Sequence, residues 1–207
     1  MIDPAYKEKA AFFDGQANAY WADLDYTPEE HEKIRKLLSL LEAGPGKRIL
    51  EPGCGTGRLT TVLGQSVGPE GGVTALDISA RMVETAQRRC AGQPHVQVLV
   101  SGLESCSLSE SAFDAVACHQ AFPHFNDHVL ALEYMSRYLR PAGRLVISHF
   151  IGRAAINDVH RKGGTAVEKD LLPDADDMRA LLARAGFIVE LLEDTDDAYY
   201  LAARLRA

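Results

Sequence analysis

The residues with the most evident chemistry lie between Lys47 and Arg58, where Lys47-Arg48-Ile49-Leu50 runs into Glu51-Pro52-Gly53-Cys54-Gly55-Thr56-Gly57 and then into Arg58-Leu59-Thr60-Thr61-Val62-Leu63. An apolar strand ends at a carboxylate, three alternating glycines make a turn, and a helix begins. Glycines leave no Cβ between the backbone and whatever lies across the turn. The free N–H groups and positive dipole end of the following helix face the same place, which suits a ligand with an anionic group. Four histidines (His119, His124, His149 and His160) fall near the ends of later apolar runs. An imidazole with an unperturbed pKa near ~6.5 suits proton transfer at neutral pH.

Two details of the turn narrow the ligand. The dinucleotide fingerprint G-x-G-x-x-G needs glycine at position 58, which is Arg58. Glu51 places a fixed carboxylate at the strand end, and like charges at short range make it a poor neighbour for a pyrophosphate. S-adenosylmethionine carries an ammonium, a sulfonium and a carboxylate, and so answers both the acid and the helix end. A second strand, Val73-Thr74-Ala75-Leu76, closes on Asp77, 20 positions after Gly57. There a nucleotide-binding α/β fold holds a carboxylate for ribose hydroxyls, although Asp77 also fits the start of the helix opening at Ile78-Ser79-Ala80-Arg81-Met82.

The elements that must position these groups alternate along the chain. Thr27-Pro28-Glu29-Glu30 predicts a helix start, and Ile34, Leu37, Leu38 and Leu41 give that helix one apolar face. Gly44-Pro45-Gly46 ends it. A third strand is predicted at Val96–Val100 and a fourth at Phe113–Cys118, the latter leading into His119-Gln120-Ala121-Phe122-Pro123-His124. Asn126 or Asp127 caps a helix carrying Val129 to Leu139. Arg140-Pro141-Ala142-Gly143 reads as a turn into strand five, Arg144 to Ser148. Residues 151–172 are too polar for core and too long for an ordinary connection, and are expected to be a substrate-side insertion. After a helix with Met178, Leu181 and Leu182, two strands over Phe187–Leu192 and Ala198–Leu205 are joined so closely that they must be antiparallel.

The arrangement E-x-G-x-G-x-G after a strand resembles motif I of the class I S-adenosylmethionine-dependent methyltransferases. Phe113-Asp114-Ala115-Val116 is similar to the family's fourth motif, and Leu139-Arg140-Pro141-Ala142-Gly143-Arg144-Leu145 to its L-x-P-G-G-x-L signature, with Ala142 in place of one glycine. The resemblance covers residues 30–205 and extends to the small-molecule type, similar to quinone-biosynthesis C-methyltransferases. It implies an α/β fold with a Rossmann-like, seven-stranded, mostly parallel sheet, helices on both faces and a C-terminal antiparallel hairpin, in one domain over 1–207. It further implies that Tyr20, Glu51, Gly53, Gly55, Gly57, Asp77, Ile78, Met82, Leu103, Glu104 and His119 bind the cofactor, S-adenosylmethionine. Asp77 would take the ribose, and Ile78 and Met82 the adenine faces. The usual acid after strand three is absent: Gly102 holds its place, which leaves the adenine edge to the Leu103 backbone or to Glu104.

Residues 1–26 hold Tyr6, Phe12, Phe13, Tyr20, Trp21 and Tyr26 and either cover the cofactor or anchor an N-terminal helix. His119 and His149 are the candidate catalytic bases, and Phe122, His124, Arg153 and His160 the candidate substrate contacts. A metal is not expected, because His119 and His124 lie five apart in a loop and no C-x-x-C is present. The net charge of −7, from 22 basic and 29 acidic side chains, disfavours nucleic acid or an anionic membrane as partner. No N-P-P-Y or D-P-P-Y follows strand four. Four scattered cysteines and the lack of a long apolar run or leader point to a cytoplasmic protein acting on a small organic acceptor. The competing reading is a regulatory or partner subunit that binds S-adenosylmethionine without transferring its methyl group.

Overall fold

The computed structural model describes residues 3–17, 19 and 24–207. Helix α1 (Lys7–Gln16) and helix α2 (Pro28–Leu41) precede the first strand. Thr27 starts α2 with a reciprocal cap: its hydroxyl accepts from Glu30 N at 3.2 Å and its own N–H donates to Glu30 Oε2 at 2.8 Å. Strands and helices then alternate: β1 (Arg48–Pro52), α3 (Arg58–Val67), β2 (Gly72–Asp77), α4 (Ala80–Arg89), β3 (Val96–Val100), β4 (Phe113–His119), α5 (His128–Tyr138) and β5 (Leu139–His149). Helices α6 (Arg153–Lys162) and α7 (Ala175–Arg184) lead to the closing strands β6 (Phe187–Asp194) and β7 (Tyr199–Leu205).

Among the described residues these strands form one seven-stranded sheet in the order β3-β2-β1-β4-β5-β7-β6. The strands β1 to β5 run parallel, and β7 inserts antiparallel between β5 and β6. The order reverses beside β1, so the carboxyl ends of β1 and β4 diverge and open a crevice there. Successive residues of each strand serve opposite faces. Ile49, Ala115 and Val146 pack under α2 and α3 with Ile34, Leu37 and Leu63. Leu50, Val116 and Ile147 pack under α5 and α7 with Leu132, Met135, Met178 and Leu182. Both apolar layers hold the strand ends rigid around the crevice.

One expectation needs correction. Arg140 to Gly143 is not a turn before strand five, and Leu139 does not belong to α5. The strand runs from Leu139, with a bulge opposite Phe113–Ala115 whose register passes from Leu139 to Arg144. Ala142 takes φ +61° inside that bulge, where a glycine would rest without strain. Residues 151–172 contain a regular element, α6, before the chain continues to α7. Helix α6 buries only Ile156 and Asn157. Asn157 holds the returning chain through both halves of its amide, donating to Leu172 O at 3.1 Å and accepting from Leu172 N at 2.7 Å. No helix among the described residues is long and apolar enough to cross a membrane.

Candidate functional site

The glycine turn after β1 is shaped by its neighbours. Gly53 has φ +76°, and a Cβ there would stand 2.4 Å from Ala121 Cβ on the turn after β4. Gly57 has φ +81°, and its Cβ would meet Ala86 of α4 at 2.8 Å. No side chain caps α3, so its first-turn N–H groups face outward from the turn. Asp77 at the end of β2 ties the turn down: its Oδ2 accepts from Gly55 N at 2.8 Å and its Oδ1 from Ser79 N at 2.8 Å. The N-cap of α4 is Ser79, so Asp77 does not itself start that helix, and its carboxylate keeps further lone pairs to offer a ligand. Burial raises the Asp77 pKa, against the pull of the Ser79 and Gly55 bonds.

Around this turn lies a cavity of ≈ 220 Å³ walled by Glu51, Gly53, Gly55, Asp77, Ile78 and Met82, by Gly102, Leu103 and Glu104 after β3, and by His119, Ala121 and His124 after β4. Tyr6, Phe13, Tyr26 and Arg58 also line it. Glu51 is 2% exposed and its Oε2 has no partner within the protein. Burial pushes its pKa up to about 8, with the Thr60 hydroxyl offsetting part of the rise. An orphaned, buried carboxylate beside an uncapped helix start fits an amino acid head group, which brings an ammonium for the one and a carboxylate for the other.

His119 ends β4 with Nδ1 2.9 Å from Ser148 Oγ and Nε2 unpartnered. Its ring rests 4.6 Å from Phe150, and burial pushes its pKa down to about 3, so it is a neutral imidazole. His124 is placed differently. Its Nδ1 lies 2.8 Å from Asp170 Oδ2, while Asp170 Oδ1 accepts from Lys9 Nζ at 2.9 Å. Lys9, buried on α1, also donates to His124 O at 2.7 Å and Asn126 Oδ1 at 2.9 Å, which satisfies all three of its protons. Burial raises the Asp170 pKa, but the bonds from His124 and Lys9 more than offset this and leave it lowered.

The remaining sequence candidates lie off the cavity wall. His149 is buried behind His119, with Nε2 unpartnered and its ring 6.4 Å from Tyr199. His160 gives a short contact from Nδ1 to Asp170 O and stands 4.7 Å behind His124. Phe122 is core, stacked on His128 at 4.7 Å. Arg153 opens α6 and points to Asp194, 3.6 Å away. Gly57 packs on Ala86 without reaching the cavity. Tyr20 lies outside the described residues. Lys9 and Asp170 carried no sequence signal, since their contact spans 161 positions. Tyr6, Phe13 and Tyr26 belong to the aromatic-rich N-terminal run, and Arg58 holds Tyr26 in place with its guanidinium 4.1 Å from the ring. Among the described residues no three His, Cys, Asp or Glu side chains gather in a group able to hold a metal ion.

Comparison with known proteins places this geometry among relatives. Residues 50–147 match the family described as Methyltransferase domain. An uncharacterized 37.1 kDa protein in transposon TN4556 of Streptomyces fradiae is 36% identical over 111 residues, 54% of this chain and 32% of that protein. Demethylmenaquinone methyltransferase of Staphylococcus aureus is 30% identical over 119 residues, 57% of this chain and 49% of that protein. The chain thus spans about a third to half of the length of these curated relatives. A crystal structure of a SAM-dependent methyltransferase from Aquifex aeolicus has a TM-score of 0.69 at 21% identity, covering 87% of this chain and 100% of that one, a likeness of fold.

Proposed function

We propose that the chain, whose residues 50–147 match the family described as Methyltransferase domain, is a class I S-adenosylmethionine-dependent methyltransferase that transfers a methyl group from S-adenosylmethionine to a small organic acceptor. The observation that carries the reading is the orphaned Glu51 carboxylate at the mouth of the glycine turn, beside the uncapped start of α3. Glu51 receives the ammonium of the amino acid head, the N–H groups of α3 its carboxylate, and Asp77 the ribose hydroxyls. Ile78, Met82 and Leu103 offer apolar surface to the base.

When bound, S-adenosylmethionine supplies a methyl group on a sulfonium, whose in-line displacement leaves a neutral thioether. The protein therefore has little leaving-group chemistry to perform, and its work is alignment and exclusion of water. His119, at the carboxyl end of β4, faces the reacting end as a neutral hydrogen-bonding imidazole. Where the acceptor carries a proton, the residue best arranged to take it is His124. Asp170 accepts its Nδ1–H and so leaves Nε2 as the ring's basic nitrogen. The N-terminal aromatics Tyr6, Phe13 and Tyr26 close the cavity, and the net charge of −7 favours a small acceptor over nucleic acid.

Incubating the purified chain with S-adenosylmethionine and a panel of small acceptors, including a demethylated naphthohydroquinone, tests this. Production of S-adenosylhomocysteine together with a methylated product supports transfer. Tight binding of the cofactor with no turnover across the panel favours the regulatory reading instead.

A further inference from the structure

His119 and Ser148 are register partners across the parallel pair β4–β5, so their side chains leave the sheet on one face. Ser148 is 1% exposed, and its Oγ stands 2.9 Å from His119 Nδ1. The Ser148 carbonyl already accepts from Gln120 N at 2.8 Å. Phe150, tilted 59° against the imidazole with ring centroids 4.6 Å apart, holds the plane of the ring. The other ring nitrogen, Nε2, is buried without a partner on a residue that lines the cavity.

Which nitrogen carries the hydrogen follows from what each atom can reach. Among the described residues the Ser148 hydroxyl meets no acceptor besides Nδ1. Were the hydrogen on Nδ1, the hydroxyl would accept it and strand its own buried proton, an unmade bond at full desolvation cost. With the hydroxyl donating to Nδ1, both atoms are satisfied and the hydrogen of the neutral ring sits on Nε2. His119 then offers the cavity one uncharged N–H. An amine attacks a methyl group through its single lone pair, and a hydrogen bond into that pair would withdraw it from reaction. An oxygen has a second lone pair, so it can accept from Nε2 while it, or a carbon conjugated to it, attacks.

We propose that Ser148 is a positioning residue that locks His119 as an Nε2–H donor, and that this donor binds an oxygen of the methyl acceptor, selecting oxygen-bearing acceptors over amines. The choice of acceptor is thereby set in part by a hydroxyl on β5 that never touches it. The proposal rests on the methyl-transfer reading above and leaves its balance unchanged. The acceptor's proton goes to His124 Nε2, the new bond forms to the methyl carbon, and the electron pair of the broken C–S bond stays on sulfur.

Two measurements on the full chain test it. In the long-range proton–nitrogen correlation spectrum of ¹⁵N-labelled protein, the His119 signals are those that vanish in His119→Gln. They are expected to show an unprotonated Nδ1 and a protonated Nε2 in the wild type, and to lose that pattern in Ser148→Ala. The second is calorimetric titration of protein saturated with S-adenosylhomocysteine, using 2-naphthol and 2-naphthylamine as probes of the same shape. The wild type is expected to prefer the naphthol by about 5- to 10-fold. Ser148→Ala brings the two affinities to within about twofold, and Ser148→Thr, which restores the hydroxyl, restores the preference, as a purely structural role would not. A hydrogen on Nδ1 in the wild type overturns the proposal alone. So does equal affinity for the two probes, binding of neither, or an unchanged preference in Ser148→Ala. Absence of S-adenosylhomocysteine binding to the wild type overturns the reading beneath it and the acceptor role together, whereas the nitrogen spectrum needs no cofactor and judges the Ser148 lock by itself.

Discussion

His124 gives its Nδ1–H to Asp170 Oδ2 across 2.8 Å. The pairing fixes the imidazole tautomer much as an outer carboxylate fixes a metal-bound or catalytic histidine. With an acceptor that loses a proton on methylation, His124→Ala is expected to lower kcat by about 10²-fold and to leave S-adenosylhomocysteine affinity within a factor of a few. His119→Ala is expected to raise KM for the acceptor more than it lowers kcat. Steady-state kinetics on both variants separates the two roles, and the reverse pattern refutes the assignment.

Asp170 also neutralises Lys9, and the two side chains are only 11% and 7% exposed. Removing one partner strands the other charge in the interior, so Lys9→Met and Asp170→Asn are each expected to destabilise the chain by about 3 kcal/mol. The double variant is expected to lose clearly less than the sum. Asp170 is held below its ordinary pKa in the folded chain. It contributes stability at pH values above the unfolded carboxylate pKa, and that contribution is lost as pH falls through the lower folded value. Urea unfolding of the four proteins at neutral pH and near pH 3 measures both effects.

These two residues also mark what the sequence conceals. Glu51, Gly53, Gly55 and Asp77 were legible because strand, turn and helix are consecutive, and local chemistry dictates their geometry. Lys9, His124 and Asp170 meet only after the sheet has formed, and each on its own reads as a solvated charge or a loop histidine. Helix α6 is hard to find in the sequence because it is short and polar on average, with only Ile156 and Asn157 buried. The β5 bulge is hidden in the sequence because Ala142 occupies a positive-φ site without the glycine that would announce it.

That site gives a stability prediction. Ala142→Gly relieves an L-residue held at φ +61°, and is expected to add about 1 kcal/mol, less the flexibility glycine confers on the unfolded chain. For a chain of this size that corresponds to a rise in melting temperature of about 2–4 °C. An unchanged or lower melting temperature contradicts the assignment of strain.

Gly53→Ala is expected to act in the opposite sense. Its Cβ would enter the space of Ala121 Cβ at 2.4 Å from a left-handed backbone, so a loss of about 1–3 kcal/mol is expected, with weakened S-adenosylhomocysteine binding. The pair Gly53→Ala/Ala121→Gly relieves the collision but not the φ strain, and is expected to recover only part of the loss.

Glu51 makes binding depend on pH. Its pKa is raised by burial to about 8, so the folded chain holds this proton more tightly than the unfolded chain does. The corresponding stability is full below the ordinary carboxylate pKa and declines as pH rises toward and through about 8 in the ligand-free protein. An ammonium arriving at Glu51 needs the ionised form. Near pH 7, binding is therefore expected to release close to one proton (about 0.9), measured as a dependence of the calorimetric enthalpy on the buffer's ionisation enthalpy. In Glu51→Gln that dependence disappears and affinity falls by about 10- to 100-fold.

The most direct test of the central claim is a calorimetric titration of the wild-type chain with S-adenosylhomocysteine, run in parallel with NADH. The expected result is one-to-one binding of the thioether, with proton release at neutral pH and no detectable binding of NADH. Binding of NADH with no response to S-adenosylhomocysteine would contradict the role given to Glu51 and the glycine turn.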